Sequence, residues 1–497
     1  MTKTIWPKAS SKRVSKSLEA HSVLALAVSA LIYILVVSGT ASVFNREFQR
    51  WEQPNAPEMA AISPLAAERA ALTVFKSEPT PTTHLYINHP QPDLPRTVIT
   101  TDTQAFFAEA DGSIALPEHF PWTQFLLDLH YYLHLPHVLG LTVVGTMGVF
   151  LIALSASGLL AHPRIFRDAF TFRRGSGRVT LADMHNRLSV WTAPFHLSNA
   201  LTGAILGLAT ILGVAIAAAR YEGDLEKVFA PVFGEEAELT TERDMPAIAE
   251  AHRHFAATFP DLALTYTVVH DPGTEGQHIQ LIAKHKDRLI FGDYYNYDAG
   301  GAYLGNTGLS DGTIGQQIAG SVYNVHFGNW GGLPVKLAYG LFGAGLMIIV
   351  CSGLAIYFAK RREKGRAAPR LEGAWEGVVW GTPFGLTVSA LFAVNGIDGQ
   401  EILVAVFWAG LAMAAGAGQF VGKKTIRQVG LSLMAMLLGA LIFLTVGVHG
   451  KTVVSVSARG ITLTLLALAM AAGYAAYRLR SDSEAANAAV RSVEVAS

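Results

Sequence analysis

The amino-acid sequence predicts a polytopic α-helical membrane protein, built as helix–domain–helix twice over and followed by four further membrane helices. Three observations carry that prediction. The 497-residue chain is 51% hydrophobic and only 15% charged, more apolar and less charged than an average soluble protein. Apolar stretches long enough to cross about 30 Å of hydrocarbon recur along it. Histidine-led helices return at matched intervals: His21 lies 17 residues before Ser38-Gly39 and His185 lies 17 before Thr202-Gly203, while His130 and His326 precede Ser157-Gly158 and Ser352-Gly353 by nearly equal distances. The formal net charge is zero, which argues against nucleic acid as a partner because no basic excess meets the phosphates. The single cysteine, Cys351, allows no disulfide within the chain and no cysteine-based zinc or iron–sulfur site.

In chain order, Met1 to Ala20 is polar and basic, and Ser22–Phe44 forms the first span. No small-residue cleavage site precedes Asn45-Arg46-Glu47, and the apolar run is too long for a signal peptide, so this segment is expected to stay. Further spans are expected at Val138–Ala161, Ser189–Ala219, Pro334–Ala359, Val378–Val394, Ile402–Phe420, Val429–Val448 and Ile461–Tyr477. Lys and Arg collect before the first span, in Arg164–Arg178, in Lys360–Arg370, in Lys423–Arg427 and after Tyr477. These alternate connections hold more than half of the 38 basic residues, so both termini are expected in the cytoplasm. The chain then divides into 1–44 (N-terminus and first span), 45–125 (outer domain), 126–219 (second and third spans with their loop), 220–324 (outer domain), 325–362 (fourth span), 371–480 (four C-terminal helices) and a tail, 481–497. The outer segments are expected in the periplasm of a Gram-negative cell.

Each outer segment opens with a helix-like stretch, at Pro64 and at Pro246, and continues into β-rich runs. These runs end in turns, Phe106–Gly112 and Tyr297-Asp-Ala-Gly-Gly301, so two separate small α+β domains are expected. Both copies start inside, which makes the repeat parallel. A pseudo-twofold axis along the membrane normal then brings His21 to face His185 on the inner side and His130 to face His326 on the outer side. Asp183–Gly203, continuing to Ala219, is expected to form one helix that carries His185 and His196 on nearly the same face, roughly 16 Å apart along its axis. Ionisable residues inside a span usually face a bundle interior, where they mark an ion path, a proton relay or a cofactor.

The two histidine-led helices, Leu129-His130-Tyr-Tyr-Leu-His134, the two turns and Val325-His326-Phe-Gly-Asn-Trp-Gly-Gly332 together resemble the PepSY-associated transmembrane helix proteins. That group includes iron-regulated inner-membrane proteins and haem-containing siderophore reductases. The likeness covers about residues 15–362, and the four spans after Leu371 lie outside it. It implies PepSY-like outer domains and a four-helix bundle holding two b-type haems in the bacterial inner membrane. It also implies an oxidoreductase that passes electrons from a quinol or a cytoplasmic reductant to a periplasmic ferric siderophore or similar acceptor. No Cys-x-x-Cys-His is present for covalent haem attachment, and no Gly-rich dinucleotide fingerprint for a built-in nicotinamide domain.

The candidate axial ligands are His21, His185, His196, His130, His134 and His326. His134, one turn after His130 on the same face, ligates or bonds a propionate. His196 ligates or relays protons. His137 and His162 are expected to be structural or interfacial. The outer-domain histidines His84, His89, His119, His252, His254, His270, His278 and His285 are expected at a solvated surface. Trp122 and Trp330 are expected at the membrane interface, or as the walls of a substrate cleft. Gly328, Gly331 and Gly332 would let backbone approach a flat macrocycle. The C-terminal region carries one histidine, His449, and is not expected to be needed for haem. Two other function classes stay open: a non-redox module in which the outer domains bind a protease or peptide, and a proton-coupled transporter with the last four helices as its gate.

Overall fold

A computed structural model describes residues 10–162, 164–170, 173, 177–225, 227–228, 244–285, 288–449 and 456–496. The basic residues Lys3, Lys8 and Arg174 lie outside the described residues. The chain opens with helices α1 (Ser11–Ser42), α2 (Asn45–Glu52) and α3 (Pro64–Ser77), then strands β1 (His84–Asn88), β2 (Thr97–Thr100), β3 (Ala105–Ala108) and β4 (Ile114–Pro117). Helices α4 (Pro121–Tyr132), α5 (His137–Ala161), α6 (Ile165–Asp168), α7 (Arg178–Trp191), α8 (Ala193–Arg220) and α9 (Ile248–Thr258) follow. Strands β5 (Ala263–His270), β6 (His278–Lys284), β7 (Asp293–Tyr297) and β8 (Tyr303–Thr307) lead to α10 (Ile314–Phe327), α11 (Gly332–Glu363), α12 (Pro369–Val394), α13 (Gln400–Val421), α14 (Lys423–His449) and α15 (Val456–Ala496).

Among the described residues, eight helices are long and apolar enough to cross a membrane: α1, α5, α8, α11, α12, α13, Lys423–Gly447 of α14 and Ala458–Ser481 of α15. The chain is a multi-pass membrane protein. Two compact units divide it. The first comprises Met1–Glu52, Pro121–Gly207 and Lys336–Ser497, and the second Gln53–Phe120 and Leu208–Val335.

In the first unit, small residues set how closely the helices cross, as is usual where lipid removes the hydrophobic drive between them. A Cβ added to Gly148 of α5 would sit 2.7 Å from Ala200 O of α8, and one added to Gly207 would sit 2.7 Å from Gly145 Cα. Gly340 and Gly343 of α11 meet Phe44 and Thr40 at the end of α1. In the C-terminal region, Gly373, Gly377, Gly381 and Gly385 line one side of α12 against Gly418, Ala414, Leu411 and Phe407 of α13. Glu372 pairs with Arg362 and Lys423, and Glu376 with Arg427.

The C-terminal helices are bound into the rest of the unit. Tyr33 of α1 donates to Val379 O at 3.2 Å and meets Trp375 edge-on. Gln400 donates to Pro121 O at 2.8 Å, and Phe125 of α4 packs on Phe407. Lys336, 3% exposed, is held by Glu47 of α2 at 2.8 and 3.0 Å, a buried pair that ties α2 to the start of α11.

The expectation of two separate outer domains is corrected. All eight strands form one antiparallel sheet in the order β4-β3-β2-β1-β5-β6-β7-β8. Each half is a four-stranded meander, and the first strands of the two halves pair with each other from His84↔His270 to Asn88↔Tyr266. The physical reason lies in edge satisfaction: a lone meander leaves β1 and β5 as unpaired edges, and pairing the two removes both. Leu85, Ile87, Ile99, Val269, Ile279, Leu281 and Tyr297 face Ala67, Ala70 and Val74 of α3 and Ile248, Ala251 and Phe255 of α9, giving one core beneath both helices. Glu68 of α3 accepts from Ala249 N at 2.7 Å, satisfying a donor in the first turn of α9. The turn glycines repeat as well. Gly112 (φ 85°) lies against the backbone of Ala66, and Gly301 (φ 80°) against Glu250 and Ala247, places where a side chain would meet both backbone strain and a helix.

His252 and His254 have the spacing of two metal ligands on a strand, but they lie on a helix, α9, as their sequence context suggests, and the surface expectation for His252 is corrected. His252 is 5% exposed and His89 fills the space beside it, ring centroids 5.2 Å apart. Their Nε2 atoms share Thr267 Oγ1 at 2.7 and 2.9 Å. Thr267 has one hydroxyl proton, so one imidazole donates to it while the other accepts, an arrangement of two neutral rings. Burial pushes His252 down to about 4, and burial with the neighbouring His252 pushes His89 well below the usual histidine range. The unfolded chain takes up these protons as pH falls through about 6.5 whereas the folded sheet does not, so their contribution is complete above pH 6.5 and lost on acidification. His252 alone should cost about 3 kcal/mol by pH 4, at about 1.4 kcal/mol per pH unit. Denaturation of the sheet, followed from pH 7.5 to 4.5, should steepen with acid in the wild type and flatten in His252→Leu. An equal slope in both would refute the assignment.

Candidate functional site

The site lies where α1, α5, α7 and α11 meet within the first unit. His21 on α1 brings Nδ1 to 3.0 Å from Leu154 O and 3.1 Å from Ser157 Oγ on α5. His185 on α7 does the same against α11, 3.0 Å from Ile349 O and 3.2 Å from Ser352 Oγ. A carbonyl only accepts, and each serine spends its own proton on a backbone carbonyl, Ser157 on Leu154 O at 3.0 Å and Ser352 on Ile348 O at 2.6 Å. Nδ1 therefore carries the proton in both rings, and Nε2 is the basic nitrogen. The two rings lie edge-on to one another, centroids 6.5 Å apart and planes at 79°. Gly158 and Gly353 lie beside them, where an added Cβ would be 3.4 Å from His21 Cε1 and 3.2 Å from His185 Cε1.

Arg173 gives Asp183 of α7 three bonds: N and Nε to Oδ2 at 2.9 Å each and Nη2 to Oδ1 at 2.6 Å. The single helix expected from Asp183 to Ala219 is corrected. It breaks at Thr192, between α7 and α8, because Pro194 has no N–H to return to Val190 O. His196 consequently stands on a separate helix from His185. It is 5% exposed, with Nδ1 3.3 Å from Thr192 Oγ1, whose proton goes to Leu188 O.

His130 and His326 are not on the spans themselves but on the short helices before them, α4 and α10. His130 Nδ1 lies 3.0 Å from Leu35 O of α1, so Nε2 is again the basic nitrogen. Gly39 leaves room for that ring, since an added Cβ would sit 2.8 Å from its Nδ1. His326 belongs to the second unit. Gly328, at φ 68°, caps α10 and turns the chain toward α11.

The expectation for His134 is corrected. Helix α4 ends at Tyr132, and Leu133 and His134 both take left-handed backbone (φ 56° and 55°). His134 folds back to stack on Phe125, ring centroids 4.8 Å apart, and donates Nε2–H to Phe125 O at 2.9 Å. It folds back onto the side of α4 rather than standing as a second residue on the face of His130.

Trp122 is corrected too. It is 8% exposed, packed on Phe48 and Trp51, and its Nε1 donates to Leu386 O at 3.0 Å, so it is a core residue and not a cleft wall. Trp330, in the second unit, is 41% exposed. His137 meets Tyr132 edge-on and His162 lies 3.7 Å from Asp168, as structural side chains do.

Sequence reasoning used Ser157 and Ser352 only as landmarks. In the structure they accept Nδ1–H from His21 and His185, partners that their near-equal spacing from His130 and His326 does not reveal.

A metal ion bonds imidazole nitrogen at about 2.0–2.1 Å, so two imidazoles on opposite sides of one ion stand with centroids roughly 6–6.5 Å apart. The His21–His185 pair, with both Nδ1 atoms engaged and both Nε2 atoms basic, fits that requirement.

A family model described as the PepSY-associated TM region matches residues 18–361. An uncharacterized protein of Pseudomonas aeruginosa is 30% identical over 162 residues, which is 32% of this chain and 39% of that protein. The chain thus spans about two fifths of the length of the curated relative it matches.

Proposed function

We propose, from the premise that this chain belongs to the PepSY-associated TM family, that it is a di-haem b-type membrane reductase. It would pass electrons across the bacterial inner membrane to a ferric siderophore or similar iron complex. The observation that supports this most is the symmetric pair His21 and His185, each locked by a carbonyl and a serine of its partner helix. Bound haem supplies a one-electron carrier at each of two depths. Everything else asked of the chain is holding and orienting.

At the inner site His21 and His185 would hold the haem, with Leu154, Ile349, Ser157 and Ser352 fixing ring tautomer and rotation. Outer partners of this kind raise ligand basicity and hold the ring against torsion. At the outer site His130, oriented by Leu35 O, would hold the second haem. His196, set deeper on α8, would ligate or carry protons. Both termini are assigned to the cytoplasm and the eight-stranded sheet to the periplasm, which puts the outer site on the side of an acceptor too large to cross. A quinol or a cytoplasmic reductant is the donor, giving one electron for each Fe(III) reduced to Fe(II).

A visible spectrum of the purified protein tests the reading. A Soret band with a sharp reduced α-band, and a pyridine haemochrome of about two haems b per chain, is the expected result. Protein expressed with ample haem that folds without a Soret band would leave the anchoring or transport reading instead.

A further inference from the structure

Helix α10 is built differently from the other two helices on the sheet. α3 and α9 bury small and aliphatic residues and turn charge outward, Arg69 and Lys76 on the first, Glu250 and Arg253 on the second. α10, from Ile314 to Phe327, carries no Asp, Glu, Lys or Arg at all. Small and polar groups bind it to the sheet. Asn324 Nδ2 donates to Leu289 O and Ile290 O at 3.1 and 2.9 Å, and Gly320 O accepts from Phe291 N at 2.7 Å. Its outward stripe is aliphatic instead. Ile314 and Ile318, one turn apart, are 77% and 61% exposed, and half-buried Val325 lies two turns further along the same stripe. A helix on a protein surface in water has the reverse arrangement.

α10 also covers the opposite face of the sheet from α3 and α9. Gly320 packs on Leu309 and Ile290, which cluster with Val268, Ile282 and Tyr294. The strand neighbours of those three, Val269, Leu281 and Tyr295, point toward α3 and α9.

The chain that follows indicates what lies against the aliphatic stripe. α11, a membrane span, begins at Gly332, so at most about 18 Å of extended chain separates it from the end of α10 at Phe327. Trp330 stands exposed in that connection, and tryptophan is favoured where headgroups meet acyl chains. Leu333, Leu337 and Leu341 follow as exposed aliphatics one turn apart, the lipid-facing stripe of the span itself.

We propose that α10 lies in the bilayer interface, with Ile314 and Ile318 sunk into the boundary between headgroups and acyl chains. Its partner is lipid taken up by apolar depth rather than by charge, because α10 offers no Lys or Arg to select an anionic headgroup. The helix anchors the sheet it packs on to the membrane surface. This goes beyond the haem reading and stands whether or not haem is bound.

The test uses full-length protein carrying Cys351→Ala and one new cysteine, spin-labelled and reconstituted in phosphatidylcholine vesicles. Electron paramagnetic resonance reads its collisions with oxygen, which concentrates in the bilayer, and with a water-soluble nickel chelate. Labels at Ile314→Cys and Ile318→Cys should collide several-fold more with oxygen than with the chelate. A label at Leu65→Cys, exposed on α3 across the sheet, should show the opposite ratio. Replacing half of the lipid by phosphatidylglycerol should change neither. Wild-type protein supplies a check free of substitutions: a carbene-generating lipid probe, photoactivated in the same vesicles, should mark α10 peptides and spare those of α3. Chelate collision at Ile314 and Ile318 as frequent as at Leu65 would put α10 in water. Exclusion of both reagents would mean that a second copy or another protein covers it. Either result, a lipid-like ratio that appears only with anionic lipid, or a wild-type α10 that the probe leaves unmarked overturns the proposal.

Discussion

On the proposed di-haem reading, replacing His185 by Ala should remove roughly half of the haem absorbance and stop turnover driven from the cytoplasmic side, while chemically reduced outer haem would still react once with an added ferric siderophore. The ring it deletes is one of two imidazoles 6.5 Å apart, and nothing else on α7 offers a nitrogen at that place. Ser352→Ala supplies a graded comparison. It keeps the imidazole and its bond to Ile349 O but removes one acceptor of Nδ1–H, so inner-haem affinity should fall about 10–100-fold rather than vanish. Redox titration with haem quantification reads both. A His185→Ala protein with both haems present and full turnover would move the inner site elsewhere, to His196 first.

On the same reading, Gly39→Ala should disturb the outer haem site although it touches no ligand bond directly. The added methyl falls on the His130 ring, 2.8 Å from Nδ1, and the ring is confined by its bond to Leu35 O. Crowding of this kind costs about 1–3 kcal/mol. Alanine is a better helix former than glycine by roughly 1 kcal/mol, so the helix gains part of that back. The net expectation is a modest loss of stability with a clear change in the outer-haem spectrum. Gly158→Ala, whose methyl would lie at ordinary contact distance, 3.4 Å from His21 Cε1, should leave the spectrum as it is. Equal spectra for wild type and Gly39→Ala would show that His130 is not an axial ligand.

The parts of this molecule legible in its sequence are those written in local chemistry. A span needs about 20 apolar residues in a row, so all eight announce themselves, and the matched His-to-Gly intervals place His21 opposite His185 before any coordinate is known. What escapes is decided by partners far away in sequence. Trp122 resembles an interfacial tryptophan until Leu386 and Ser389 cover it. His252 sits in a polar-looking stretch, Ala251-His-Arg-His254, and only the arrival of His89 and Thr267 explains its burial. Register across a seam leaves no mark on either strand, so the pairing of β1 with β5 is invisible to periodicity. Two misreadings had local signals after all: Pro194 marks the break after α7, and Pro136 biases the preceding residues away from helix where α4 ends.

The β1–β5 seam also governs how the protein is made. His84 and His270 pair across 186 residues of chain, with α5 and α8 both inserted between them. Non-local pairings of this span form late, after loop-closure entropy has been overcome. Two spans separate the halves of the sheet, so the halves meet only when both have crossed. A nascent chain that misses either crossing strands β5 on the wrong side of the bilayer and leaves β1 an open edge. Closure of the seam is therefore a parity check on biogenesis, and a chain that fails it exposes an unpaired strand edge of the kind prone to aggregate.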